Sequence, residues 1–143
     1  MNLHYHPHQL HNLHFEQSYS FLKANNEDSE YGLALVPANS IKTKLLFSFT
    51  NYKRHKFDYI SIYHTHKFKQ DSYAEYEELT KSYNVINLQL GLKFTSQLHC
   101  SLGAHNIMNE NYTPHISRVR GIAVNGVPNP GRSFSVKLKY EFN

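Results

Sequence analysis

At 143 residues with 40% hydrophobic side chains, the chain is long enough for one domain with a core, and its formal charge of +4 is only mildly basic. No run of about eighteen apolar residues occurs, which excludes a transmembrane helix. No arginine-rich stripe with interleaved aromatics is present, so nucleic acid is not an expected partner. The single cysteine, Cys100, excludes an internal disulfide framework. Eleven Tyr and nine Phe without a Trp leave an aromatic-rich β protein. It is either a soluble sandwich or small barrel, or a membrane barrel in which Tyr at strand ends suits the water–lipid boundary.

Alternation of apolar and polar residues, the mark of a strand with two unlike faces, predicts about seven strands. The first is a stub, Leu3 to His6, followed by a short turn from Pro7 to Asn12. The second sets Leu13, Phe15, Tyr19 and Phe21 against His14, Glu16, Ser18 and Ser20. A long acidic connection, Lys23 to Ser40, leads to a third strand with Ile41, Thr43, Leu45, Phe47 and Phe49 on one face and Lys42, Lys44 and Ser48 on the other. Asn51 to Lys56 is a compact basic turn. The fourth strand, Phe57 to Phe68, alternates poorly, and its apolar side is not legible.

A second acidic loop, Lys69 to Ser82, precedes a fifth strand that alternates well. Ile86, Leu88, Leu90, Leu92 and Phe94 face one way, and Asn87, Gln89, Gly91 and Lys93 the other. Thr95-Ser96-Gln97 turns the chain into a sixth strand with Leu98, Cys100, Leu102 and Ala104 on one face, so the thiol is expected to be buried or lipid-facing. After a very long loop, Ile107 to Arg132, comes the most regular strand of all. Phe134, Val136, Leu138, Tyr140 and Phe142 lie on its apolar face, and Ser133, Ser135, Lys137, Lys139 and Glu141 on its polar face. A strand of this kind at a chain end suits an outer-membrane barrel, with lipid on one side and a wet lumen on the other.

Connections alternate short and long along the chain, as in an antiparallel barrel with turns at one rim and functional loops at the other. Single-chain bacterial barrels have even strand numbers. An odd count with a truncated first strand therefore predicts a piece of a larger barrel. Met1 to Pro7 has no basic, apolar and small-residue regions of a secretory leader, which gives the same expectation.

Leu102-Gly103-Ala104-His105-Asn106-Ile107-Met108-Asn109-Glu110-Asn111-Tyr112 resembles the G-x-x-N-L-F-N-x-x-Y signature near the end of TonB-dependent outer-membrane receptors, with Ile107-Met108 for Leu-Phe. Val127-Pro128-Asn129-Pro130-Gly131-Arg132-Ser133-Phe134, after Ser117-Arg118-Val119-Arg120-Gly121, is similar to their P-G-R-x-(F/Y) lead-in to the last strand. His14-Phe15-Glu16 through Ser20-Phe21 and Val36-Pro37-Ala38-Asn39-Ser40 also look like receptor segments, so the resemblance covers nearly the whole chain. Asn143 after the terminal aromatic is a departure from the family.

The resemblance implies an all-β fold: residues 1–143 as the C-terminal part of an antiparallel transmembrane β-barrel of about 22 strands, without the plug domain or signal peptide. Short turns and the C-terminus would face the periplasm and long loops the exterior. The implied function is uptake of a ferric siderophore, another metal chelate or a large nutrient across the outer membrane of a Gram-negative bacterium. The implied partners are outer-membrane lipid, the rest of the receptor with its plug, the TonB complex acting through that plug, and the ligand. A free-standing soluble β-barrel holding a small apolar ligand, or a small barrel enzyme, would instead point the apolar faces inward.

Candidate site residues are few. Tyr112, His115, Arg118 and Arg120 in the longest loop form the best ligand contact, and the lipid face of the last strand is Phe134, Val136, Leu138, Tyr140 and Phe142. Lys42, Lys44, Lys137 and Lys139 project from polar faces, where they solvate a lumen, pair with plug carboxylates or attract an anionic ligand. On a lipid face each would cost roughly 2–4 kcal/mol at mid-depth. The acidic stretches Glu27 to Glu30 and Asp71 to Glu78 read as solvated loops. Eleven histidines include His4, His6, His8, His11, His14, His64 and His66. Pairs at i and i+2 could chelate a metal. Yet His8 and His11 fall in a turn with no acidic neighbour, so no metal site and no cofactor are expected. G-x-S-x-G, H-E-x-x-H and P-loop motifs are missing, and no enzyme is expected.

Overall fold

A computed structural model of the chain describes residues 1–7, 10–24, 30–49, 56–75, 77–116 and 128–142. Among them the strands are β1 (Asn2–Tyr5), β2 (Leu13–Ser20), β3 (Ser40–Ser48), β4 (Phe57–Lys67), β5 (Tyr83–Lys93), β6 (Leu98–His105) and β7 (Ser133–Tyr140). They form one antiparallel sheet whose spatial order is the sequence order, β1 through β7. Each strand thus pairs with its neighbour in the chain, and β1 and β7 are the sheet edges.

Register sorts the side chains because residues opposite one another in an antiparallel pair share a face. The row Phe15, Leu45, Ile62, Leu88, Ala104, Phe134 runs across six strands, and beside it lies Leu13, Phe47, Ile60, Leu90, Leu102, Val136. Leu92, Cys100 and Leu138 form a third row. On the opposite face the rows read Glu16, Lys44, Tyr63, Asn87 and Ser48, Tyr59, Gly91, Ser101, Lys137. In these rows one face is apolar and the other polar, while toward the long connections the apolar face also carries Gln17, Thr43, His64, His66 and Asn84. β4 resolves in the same way, with Ile60, Ile62, His64 and His66 on the apolar side.

The apolar side is the open one. Ile60 and Ile62 are each 41% exposed, whereas Ser61 between them, on the polar side, is fully enclosed. A sheet curled toward its polar face produces this inversion of the usual burial rule. Small residues make the curl possible. The Tyr59 ring lies over Gly91, where any Cβ would overlap its atoms, and the Tyr59 hydroxyl stands 3.5 Å from Ser101 Oγ.

Aromatic side chains gather at both ends of the apolar face. Phe49 lies 5.0 Å from Phe47 and 6.0 Å from Phe57 by ring centroids at the short-turn end. Tyr19, Phe68 and His66 meet at the long-loop end. Lys56 Nζ sits 5.8 Å from the Phe94 ring centroid, a cation over an aromatic face.

Most strand ends fall within a residue of the sequence expectation, and two differ by more. β5 starts at Tyr83 rather than Ile86, because Tyr83 and Val85 are apolar residues on the polar side, which breaks the alternation. Tyr83 is turned there to stack on Tyr112, with centroids 4.2 Å apart. β7 ends at Tyr140, so Phe142 lies beyond the strand, exposed, with its ring 4.8 Å from that of Tyr140. Cys100 is buried on the apolar face between longer neighbours.

Candidate functional site

The polar face is basic. Lys42, Lys44, Lys67, Lys93, Lys137 and Lys139 all project from it by register, and its strands carry two carboxylates, Glu16 and, at the β4 bulge, Asp58. Glu16 is committed: its Oε1 accepts from Lys44 Nζ at 3.0 Å. Lys139 pairs locally with Glu141. The lysines left over give a positive wall, and a concave low-dielectric surface of one sign concentrates the opposite charge in front of it. Neutral hydrogen bonds hold the wall between them. Tyr63 donates toward Gln89 at 3.5 Å, and His105 Nε2 meets Ser135 Oγ at 2.9 Å.

Above this wall the three long connections are fastened to one another, and half of the buried described residues lie there. Val36, Ala38, Gln70, Thr80 and His115 are all buried. Gln70 Nε2 donates to Val36 O at 3.1 Å, Gly32 N to Tyr73 O at 2.9 Å, and Phe68 N to Asn39 O at 3.0 Å. Glu77 ties the set together. Its carboxylate accepts from Leu35 N at 2.8 Å in the first long connection and from Ala74 N at 3.0 Å in its own. Its Oε2 also stands 3.5 Å from Nε2 of His115 in the third. Leu35 is held in the left-handed region, φ 58°, to present that N–H.

The two ends of the longest connection are closed by asparagines. Asn106 leaves β6 with φ 48° and Asn109 follows with φ 54°, a conformation that asparagine tolerates better than most residues. The buried Asn106 carboxamide grips Glu110 twice, donating to its carbonyl and accepting from its N–H, each at 2.9 Å. The Asn106 N–H donates to Asn87 Oδ1 at 2.8 Å. Asn109 Oδ1 accepts from Arg132 N at 2.9 Å, and a Cβ on Gly131 would clash with that oxygen. The Gly103–Tyr112 segment and the Pro130-Gly131-Arg132 lead-in thus form one clasp, and their asparagines do structural work.

The seven-stranded antiparallel sheet has a counterpart among solved structures. The chain is similar to copper transporter OprC with a TM-score of 0.77 and 19% sequence identity, over 92% of this chain and 21% of that one. The chain therefore spans about a fifth of the length of that protein. No family model and no curated protein matches it.

Of the anticipated ligand contacts, Tyr112 and His115 lie among the described residues. Tyr112 stacks on Tyr83, and its hydroxyl accepts from Asn129 Nδ2 at 2.9 Å. His115 is buried, its Nδ1 2.9 Å from Thr80 Oγ1. Arg118 and Arg120 lie outside the described residues, as do His8 and Glu27 to Ser29. Glu77, Asn87 and Asn106 organise the loops, and no local pattern marks the first two. Among the described residues no group of three or more His, Cys, Asp or Glu side chains is arranged to hold a metal ion.

Proposed function

We propose that this chain is a stretch of wall from an outer-membrane import barrel of the TonB-dependent type, in a Gram-negative bacterium, for an anionic chelate or comparable large nutrient. The observation that carries the reading is the two-faced sheet, with continuous apolar rows on the exposed side and lysines on the enclosed side. A soluble barrel for a small apolar ligand requires the reverse arrangement. Lipid against the apolar face removes its exposure, and the aromatic groups at its two ends suit the two interfaces.

In this reading the interlocked long connections form the outer rim and the lysine wall faces the lumen, where it meets cargo or the carboxylates of a plug contributed from outside this chain. Energy would reach that plug from an inner-membrane TonB complex. The likeness to a copper transporter supports transport as the class of activity and leaves the cargo to experiment.

Since the sequence has no tryptophan, a single introduced one reports its own surroundings. In vesicles containing brominated acyl chains, Leu90→Trp should be quenched by bromine and shielded from aqueous acrylamide. Tyr63→Trp should show the opposite. Equal quenching of both, or reversal, would reject the membrane reading.

A further inference from the structure

We infer that His6 and His14 form a two-imidazole binding site for a divalent transition-metal ion on the polar face of the β1–β2 hairpin. Register brings the two residues opposite one another. Met1 and Tyr19 exchange both backbone hydrogen bonds, at 3.0 and 2.9 Å, so bonded pairs recur at Leu3↔Gln17 and Tyr5↔Phe15. The intervening pairs are the non-bonded kind, in which Cα atoms approach to about 4.5 Å and side chains are closest. His4↔Glu16 is one of these, and one step beyond Tyr5↔Phe15 is His6 opposite His14.

The two rings meet as that spacing requires. Nδ1 of His6 lies 2.7 Å from Nδ1 of His14, with ring centroids 4.6 Å apart and planes at 80°. At this distance one nitrogen donates and the other accepts, and two imidazolium ions would repel. Both nitrogens thus border one gap, where an ion would be ligated through their lone pairs. Bonds of about 2.0–2.1 Å from two nitrogens to one ion need the gap to widen by about half an ångström. Pro7 fixes φ just after His6, and His14 sits within β2, paired with Leu46 of β3, so the backbone on both sides of the gap is held.

Glu16 shares the face but is held by Lys44, so the protein supplies two nitrogens and water the remaining positions. Such a site is exchangeable. Imidazole donors select copper(II) ahead of nickel and zinc, and exclude calcium, which requires oxygen ligands. His64 and His66 make an instructive contrast. They also converge, but on Asn84 Oδ1 at 3.0 and 2.9 Å, so a carboxamide already fills their meeting point. The inferred site depends only on the β1–β2 pairing and stands apart from any transport role.

The test uses the full chain in detergent micelles, titrated calorimetrically with copper(II), zinc(II) and calcium. One equivalent of copper should bind more tightly than zinc, and calcium should not bind. His6→Gln and His14→Gln should each weaken copper binding roughly tenfold or more, and the double variant His64→Gln/His66→Gln should leave it unchanged. Copper-loaded wild-type chain should show hyperfine coupling to two imidazole nitrogens in its electron paramagnetic resonance spectrum, a readout that needs no variant. A spectrum without that coupling, or equal affinity in wild type and His6→Gln, would overturn the assignment. Loss of binding through His64 and His66 instead would also overturn it.

Discussion

The ring of Tyr59 covers Gly91, its register partner on the adjacent strand, and occupies the space a side chain there would need. The contact sits on the enclosed face, where the sheet can curl only if some positions are bare. A methyl group at 91 must push the ring aside. Gly91→Ala should destabilise the folded chain by about 1–3 kcal/mol, the usual range for overpacking. Adding Tyr59→Ala should cancel much of that penalty. Urea unfolding in detergent, run as a double-mutant cycle, measures the coupling, and strictly additive effects would count against the contact.

Adjacent residues on β7 should respond oppositely to change. Leu138 pairs with Cys100 on the apolar face and Lys137 with Ser101 on the polar one. Leu138→Arg should impair membrane insertion by about 2–4 kcal/mol, whereas Lys137→Gln should be nearly silent. Heat-modifiable gel mobility of the complete barrel in outer-membrane fractions reads both. A worse outcome for Lys137→Gln would mean that the faces are reversed.

Removing the Asn106 carboxamide should open the clasp on the longest connection. Asn106→Ala loses both bonds to Glu110 and also disfavours the left-handed backbone, for a loss of about 2–3 kcal/mol. Asn106→Gly keeps the conformation and loses only the hydrogen bonds, so it should fall between alanine and wild type. Equilibrium unfolding gives the order, and alanine milder than glycine would contradict the account.

Glu77 should couple loops that are remote in sequence. Glu77→Ala should speed hydrogen exchange at Leu35 and Ala74 together, because one carboxylate accepts from both amides. Exchange measured residue by residue in micelles tests this, and deprotection of Ala74 alone would show that the longer link is dispensable.

The strand pattern was legible wherever polar and apolar residues alternate cleanly, as from Ile86 to Lys93 and from Ser133 to Tyr140. It failed on β4 because tyrosines occupy the polar face while histidines occupy the apolar one, and both residue types are amphipathic. It failed at Tyr83 and Val85 because a tertiary stack with Tyr112 overrides local periodicity. The asparagine signature was visible as a resemblance, while its physical reason, two left-handed residues capping two loop ends, is a matter of backbone angles. Glu77 looked like one more acid in an acidic stretch, since its partners lie as many as 42 residues away. Likewise the meeting of His6 with His14 depends on register, and the turn between them gave no sign of it.

Because every strand pairs with its neighbour in the chain, the wall can grow hairpin by hairpin, with no strand waiting for a distant partner. The ease of each step follows the length of the connection. Residues 94–97 join β5 to β6, whereas 106–132 separate β6 from β7. Chain-closure entropy makes the second junction harder by roughly 1.7 kcal/mol. The β5–β6 hairpin is therefore the natural seed, and β7, across the longest connection, docks late.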